Sequence, residues 1–571
     1  MPVIRKIEIA NFRCLKKFSW LPAPGINGLI GPGDIGKSTI LDAIDYCLGA
    51  RRNLQLVDTD FHCLDVAQPI TIAITLGQLD DTLKSIEAYG LYLRGFNKET
   101  GDIVEEPEAN HETVLTLQFQ ALADLEPQCT LVSARGTAQG QTRNLNWQDR
   151  VRLAPTRLGA FSEHNLSWRR GSILNRLSEE RPDASAALVT AARNVRIAFG
   201  EQAHAQLSDA LGAVSEAAKS LGIPVGTVKA LLDSHSVSVS GGTISLHNED
   251  GVPLKELGLG SARLLIACLQ RKAAATSPIA LVDELEYGLE PHRIIRLVDA
   301  LGAKETDPPL QVFITTHSPV AVRELSGNQL FVVRERNGEH TARQAGTSDD
   351  IQGTIRLFPD ALLATSILVC EGATEVGFIR GMDQYRVSTG EIAIAAQGVT
   401  IVDGGGTNTY RRAKVFRQLG YRTAVLRDSD APLTPGEETL FRAKGGKTFK
   451  WREGLSIEDE LFDSLPDTGI DGMLERAVEF KEESLVNDHI KSVSGNAKNL
   501  EDVRLEILTD VISQETRAAL AKASKCGKGW FKSVPAMEKT AREVIGPAFA
   551  NASGPFREKV LAVFSWIRND G

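Results

Sequence analysis

The segment Gly31-Pro-Gly-Asp-Ile-Gly36-Lys37-Ser38-Thr39 constrains this chain more than any other. The apolar run 26–30 leads directly into it, and residues 39–48 follow with apolar positions at helical spacing. Strand, glycine loop and helix, in that order, let backbone N–H groups curl around phosphate oxygens. Gly31, Gly33 and Gly36 give the backbone that freedom, and the helix N-terminus adds partial positive charge. Lys37 is placed to reach the β and γ phosphates, and Ser38 to ligate Mg²⁺, with Thr39 completing the nucleotide-binding set. The chain is therefore expected to be an α/β protein organised around a nucleotide, with ATP the expected cofactor.

Two later segments supply what such a loop needs. The apolar run 278–282 ends in Asp283-Glu284, a buried strand delivering two carboxylates to its C-terminal end. Asp283 is expected to hold Mg²⁺ through water and Glu284 to polarise the attacking water. A second β-rich run, 311–316, ends in His317-Ser318-Pro319, which offers His317 to the γ-phosphate.

These motifs, with Phe12-Arg13 ahead of the loop and Leu257-Gly258-Leu-Gly260-Ser261-Ala-Arg263 before the acidic strand, resemble the ABC-type ATPases of the RecF, SMC and Rad50 group. The resemblance implies head-to-head pairing, in which the signature residues Gly258, Gly260 and Ser261 of one copy face the ATP of another. A homodimer or higher homo-oligomer is expected on that ground. Two positions depart from the group: Gly258 stands where the signature has serine, and Gly33 where the loop usually has asparagine. Both bear on hydrolysis rate more than on nucleotide binding.

At 571 residues the chain exceeds what one core holds and predicts about three or four domains. More than two hundred residues separate the glycine loop from the signature. Within that gap 184–199 and 203–221 are Ala/Leu-rich at helical spacing, which predicts a helical hairpin. The resulting division is an ATPase domain over 1–170 and 223–355, interrupted by a helical dimerisation element over 171–222. A second unit covers 360–465, followed by a helical region over 466–571.

That second unit carries different chemistry. The apolar strand 366–370 ends in Glu371-Gly372-Ala-Thr-Glu375. Residues 399–402 lead to the turn Gly404-Gly-Gly406, a helix is expected over 409–419, and the strand 423–426 leads to Asp428-Ser429-Asp430. In a parallel sheet such strand ends converge on one edge. Carboxylates gathered there repel one another unless they hold cations. Oxygen ligands select Mg²⁺ or Mn²⁺, and two ions about 4 Å apart would clamp the attacking and leaving oxygens of a phosphodiester.

The strand-end Glu-Gly and later Asp-x-Asp resemble the TOPRIM domain, a Rossmann-like fold shared by topoisomerases, primases and nucleases. A topoisomerase needs a separate breakage domain with its tyrosine, for which the chain has no room. A primase is expected to carry a zinc module, which the seven scattered cysteines without a C-x-x-C pair exclude. Glu375 points to a nuclease. An ABC ATPase followed by TOPRIM is the arrangement of the OLD (overcoming lysogenization defect) family, which the chain resembles over nearly its whole length. That family implies a metal-dependent DNA nuclease, often in anti-phage defence and in some members beside a helicase-like partner, as in Gabija systems. It implies Glu371, Glu375, Asp428 and Asp430 as metal ligands. Ser456-Ile-Glu458 matches a further ligand motif, with Asp459 and Glu460 as neighbouring choices. It also implies a catalytic lysine, Lys528 first and Lys532 second, whereas Trp530 and Phe531 are expected to anchor that segment in a core.

The net charge of −9 rules out a uniformly basic DNA-coating protein, so any contact with DNA must be local. The cation-rich stretch holding Arg411, Arg412, Lys414, Arg417, Arg422, Lys444, Lys447, Lys450 and Arg452 is the candidate. The first ten residues alternate like a strand instead of forming a signal-peptide core, and no run approaches 18 apolar residues, so a cytoplasmic protein without a membrane partner is expected. Two other functions stay open: a DNA-binding structural ATPase of the SMC and RecF kind that does not cleave, and a TOPRIM ribonuclease.

Overall fold

The computed structural model describes residues 2–568, apart from 52–53, 160–162, 168–171, 178–189, 192, 195–197, 200–206, 221–222, 230–245, 276, 431–435 and 510–511. Among these residues the fold is α/β, built on a 13-stranded sheet and a separate 4-stranded sheet.

The parallel part of the larger sheet runs Leu330–Arg336, Ile26–Ile30, Gln311–Thr315, Ile279–Val282 and Thr156–Leu158. Ile26–Ile30, Gln311–Thr315 and Ile279–Val282 are buried at every position, as expected for continuous apolar runs covered on both faces. Their common direction brings Gly31, His317 and Asp283 to one edge. The rest of the sheet is an antiparallel wing in which Val3–Phe12 pairs with Leu15–Trp20 and Ile70–Gly77, and the latter with Glu112–Ala121. The helix after the glycine loop, Lys37–Leu48, packs its Ile40, Leu41, Ile44 and Leu48 into the core that this wing covers.

Within the inserted segment, Ile173–Leu177 and Ser208–Ser220 are helices, and Ala218 is the buried residue of the second. Most of the helix expected over 184–199, and the first residues of the one expected over 203–221, lie outside the described residues. No helix among the described residues is long and apolar enough to cross a membrane.

The smaller sheet is wholly parallel, in the order Val399–Asp403, Ser366–Cys370, Arg422–Arg427, Lys447–Lys450. Its central strands are buried on both faces, and the period of two sends alternate residues to different cores. Ile367, Val369 and Val425 share a core with Leu330, Val332 and Ile355 of the first unit. Leu368, Cys370, Ala424 and Leu426 share another with Phe378, Trp451, Phe462 and Trp530. The guanidinium of Arg334, in the strand beside the glycine loop, lies 3.9 Å from the ring centre of Tyr421 and donates to Ala364 O at 3.1 Å, joining the two units.

The C-terminal helices hold the second unit together. Helix Ala373–Ser388 approaches Val534–Thr540 so closely that a Cβ on Gly377 would lie 2.6 Å from Val534 O, and one on Gly381 2.2 Å from Glu538 O. Phe378 stands edge-on to Trp451 at 5.7 Å, and both meet Phe556 of helix Gly554–Arg568.

Candidate functional site

The glycine loop has the backbone the sequence requires. Gly31 and Gly36 have φ of 145° and 88°, and a Cβ on Gly31 would sit 2.7 Å from Val333 O. These two positions exclude any other residue. A Cβ on Gly33 would meet nothing within 4 Å, so the asparagine usual there would fit and its replacement is not forced by sterics. Lys37 is buried and folds back, donating from Nζ to Gly31 O at 3.1 Å and Pro32 O at 2.6 Å. Burial lowers its ammonium pKa to about 8, against the opposing charges of Asp34 and Glu286. Ser38 is exposed, and Thr39 reaches Cys14 Sγ at 3.4 Å.

The strand ends meet this loop. Asp283 Oδ1 accepts from Ser38 Oγ at 2.9 Å and from Thr315 Oγ1 at 2.7 Å, while Oδ2 accepts from Arg157 Nη2 at 3.0 Å. Burial alone would raise the Asp283 carboxyl; the hydrogen bonds from Thr315 and Ser38 and the charge of Arg157 outweigh it and hold the pKa below the ordinary value. Glu284 is exposed at φ 45°, its N–H donating to Thr315 Oγ1 at 2.8 Å. His317 is exposed too, and its N–H donates to Glu286 Oε1 at 2.7 Å, while Thr316 Oγ1 donates to Glu286 Oε2 at 2.6 Å.

The signature segment begins helix Leu259–Lys272 with Gly258 as an exposed cap. Gly260 lies against Gly288, where a Cβ would meet its carbonyl at 2.9 Å, and Ser261 Oγ accepts from Arg293 at 3.2 Å. Arg263 is fully buried and donates to the carbonyls of Asp283, Glu284 and Tyr287, tying the signature helix to the acidic loop.

At the C-terminal edge of the smaller sheet the acids are held by backbone groups, and Glu371 also by buried Arg427, whose Nε lies 3.4 Å from Glu371 Oε2. Glu371 Oε2 accepts from Asp428 N at 3.0 Å, Glu375 Oε2 from Gly372 N at 2.9 Å, and Asp428 Oδ1 from Ile457 N at 2.9 Å. Glu375 is 3% exposed; burial, then the charges of Asp428 and Glu458, push its carboxyl well above the ordinary range. Asp428 is pushed up to about 7 by burial first and then by Glu458, Asp430 and Glu371. Burial likewise raises Glu458, with Lys532 and Lys525 opposing. All five acids singled out in the sequence thus enter one electrostatic neighbourhood. Its donors are hard oxygens and its excess charge is negative, so Mg²⁺ or Mn²⁺ fits the residues present. Among the described residues no three His, Cys, Asp or Glu side chains are already gathered as a ligand set.

The neighbouring acids divide their tasks. Asp459 caps its own helix, Ile457–Ser464, and pairs with Lys525 at 2.7 Å. Glu460 is fully buried and pairs with Arg452 at 3.0 Å. Glu458 is the one whose charge acts on Glu375 and Asp428. Lys528 sits exposed in the turn after helix Gln514–Ser524. Lys532, also exposed, acts on Glu458. Trp530 and Phe531 between them are buried, and Trp530 Nε1 donates to His489 at 3.1 Å.

Much of the cation-rich stretch is spent within the protein. Arg411 pairs with Asp350, Arg412 donates to Asp403 O at 2.7 Å, Arg417 to Lys444 O at 2.6 Å, and Lys450 pairs with Glu438 at 3.3 Å. Residues that sequence reasoning passed over include Arg157, Glu286 and Thr315. Thr315 and Glu286 adjoin recognised motifs and could have been suspected by position, whereas Arg157 lies in a three-residue strand with no pattern of its own.

Comparison with known proteins comes to the same two units. Residues 26–323 match the family described as "AAA domain, putative AbiEii toxin, Type IV TA system". Residues 362–430 match "Overcoming lysogenization defect protein-like, TOPRIM domain". Solved structures that align with the chain include an Smc head bound to the C-winged helix domain of ScpA, 17% identical with a TM-score of 0.35, covering 59% of this chain and 96% of that one. A Pyrococcus furiosus Smc head domain with an extended coiled coil, bound to the C-terminal domain of ScpA, is 14% identical with a TM-score of 0.34, covering 60% and 96%. The recombination mediator protein RecF with ATPrS is 13% identical with a TM-score of 0.30, covering 60% and 98%. No curated protein matches the chain.

Proposed function

The chain belongs to the AAA-domain family it matches over 26–323 and joins that ATPase to an OLD-like TOPRIM domain over 362–430, and from this premise we propose that it is an ATP-dependent, divalent-metal-dependent endonuclease acting on DNA. The observation that carries the reading is the placement of Glu371, Asp428 and Asp430 just beyond the C-terminal ends of two paired parallel strands, with buried Glu375 and Glu458 on the helices that follow; burial and then their like charges raise the carboxyls of Glu375 and Asp428. Buried like charges are costly, and binding cations turns that cost into function.

Glu371, Glu375, Asp428, Asp430 and Glu458 would hold two Mg²⁺ or Mn²⁺ ions, which when bound supply an activated water and a clamp on the leaving oxygen. The charge of Lys532 acts on Glu458, which puts Lys532 ahead of Lys528, the first choice from the sequence, as the residue that would neutralise negative charge on the attacked phosphate. In the first unit Gly31, Gly33, Gly36, Lys37, Ser38 and Thr39 would cradle ATP, Asp283 would orient its magnesium, Glu284 would act on the attacking water and His317 would serve the γ-phosphate. The exposed cap at Gly258, with Gly260 and Ser261, would complete the nucleotide site of a second copy, making the active form a homodimer or larger. A role in anti-phage defence or DNA processing follows from the same reading.

The reading is tested by incubating matched DNA and RNA strands with Mg²⁺ or Mn²⁺. Metal-dependent cutting of DNA, lost in chelator, is expected; cutting of RNA alone would replace DNA with RNA as substrate. The spread of the carboxylates away from a ready ligand set favours a second reading, a DNA-binding structural ATPase without cleavage. That reading predicts ATP-dependent retention of DNA and no cutting in any metal.

A further inference from the structure

We propose that Arg157 is a positioning residue for the nucleotide-bound magnesium, setting the orientation of Asp283 from outside the recognised motifs. The inference rests on the ATP-site reading and adds a residue to it.

Arg157 lies on strand Thr156–Leu158, directly across from Leu281 and so beside the strand that delivers Asp283. Its guanidinium forks. Nη2 donates to Asp283 Oδ2 at 3.0 Å, while Nη1 pairs with Asp42 and lies 3.8 Å from Asp45 Oδ2, both on the helix that begins with Lys37. The opposite oxygen of Asp283 faces Ser38 at 2.9 Å. Thr315 Oγ1 donates to that same oxygen at 2.7 Å, so Arg157 fixes the Oδ2 end of the carboxylate while Oδ1 is held beside the P-loop hydroxyl. Asp42 is shared with Arg13, which also holds Asp60 at 2.9 Å. The result is an alternating chain Asp60, Arg13, Asp42, Arg157, Asp283 that links distant segments of the fold. A rigid planar fork bridges two carboxylates in one geometry, which a lysine ammonium on a flexible stem does not reproduce.

Two effects of Arg157 are separable. Its positive charge favours any nucleotide triphosphate, with or without metal. Its fork holds Asp283 in the rotamer that faces Ser38, from which it would hold magnesium through water, and that effect would need metal. Loss of an outer-shell partner that orients the groups around a metal weakens metal affinity by about 10–100-fold.

The test is fluorescence titration of the full-length chain with a fluorescent ATP analogue, in EDTA and across a magnesium series. It compares wild type, Arg157→Met and Arg157→Lys, with circular dichroism as the folding control. In Arg157→Lys, the metal-free affinity should stay near wild type while the magnesium concentration giving half-maximal enhancement rises about tenfold. Arg157→Met should show the same rise together with weaker metal-free binding. Should Arg157→Met fail to fold, the lysine variant carries the test alone. A lysine variant with the wild-type magnesium requirement, or a lower one, overturns the inference. A wild type that binds no nucleotide under any condition would instead overturn the ATP-site reading beneath it.

Discussion

Replacing Asp428 with asparagine should make the metal-free protein more stable while ending its metal response. The Asp428 carboxyl is pushed up to about 7 from an ordinary 3.8, by burial and then by Glu458, Asp430 and Glu371. The folded value lies above the unfolded one, so the group's contribution to stability is fully present below about pH 4 and is lost as pH rises through about 7. A rise of that size corresponds to about 4 kcal/mol against the folded state at about pH 8. The charge is shared with Glu375 and Glu458, so removing one acid recovers about half, ~2 kcal/mol. The asparagine amide keeps an oxygen for the Ile457 N–H, which donates to Asp428 Oδ1 at 2.9 Å, and the neighbouring carboxylates of Glu458, Asp430 and Glu371 offer acceptors for its new NH₂. For a unit of roughly 200 residues ~2 kcal/mol amounts to about 4–8 °C in Tm. Differential scanning fluorimetry in EDTA at about pH 8 should show that gain, and it should shrink as pH is lowered toward about 5. Added Mg²⁺ should raise the wild-type Tm and leave Asp428→Asn nearly unmoved. A variant less stable than wild type at the higher pH, or a gain independent of pH, would refute the account of the acids as mutually repelling.

Three further outcomes follow from other parts of the structure. Burial holds Lys37 near a pKa of about 8, so ATP binding takes up a proton above that pH; affinity should fall by up to about tenfold per pH unit between about 8 and 9.5, and a flat profile would show that Lys37 does not meet the phosphates. Lys532→Met should lower strand cleavage by about a hundredfold, the scale of losing one charge-stabilising donor, and more than Lys528→Met; the reverse order in a gel assay would transfer the role to Lys528. Gly381→Ala forces a Cβ to 2.2 Å from Glu538 O, so it should cost about 1–3 kcal/mol by overpacking, measured as a lowered Tm, and unchanged stability would contradict the helix contact.

What the sequence made legible was whatever has a local rule. A glycine loop between an apolar run and a helical pattern has one, and Gly31 and Gly36 stand at the positive φ values that rule demands. Acids at the ends of Ser366–Cys370 and Arg422–Arg427 follow from parallel strand order, which the pairing of these strands obeys. Three neighbouring acids, Glu458, Asp459 and Glu460, could not be told apart by pattern. The helix turn separates them: one caps the helix, one pairs with Arg452, and one acts on Glu375 and Asp428. Within the cation-rich stretch, charge counting could not show the partners, and the acids that pair with Arg411 and Lys450 lie at Asp350 and Glu438. Arg157 was invisible because its importance comes from two distant segments, the glycine-loop helix and the acidic strand, meeting at its guanidinium.

Supercoiled plasmid incubated with the full-length protein in Mg²⁺ or Mn²⁺, beside Asp428→Asn prepared identically and a wild-type reaction in EDTA, tests the central claim most directly. Conversion to nicked or linear DNA by wild type, absent in EDTA and in the variant, is the predicted result. Cleavage that persists in Asp428→Asn, or no cleavage by wild type in either metal with or without ATP, would contradict it.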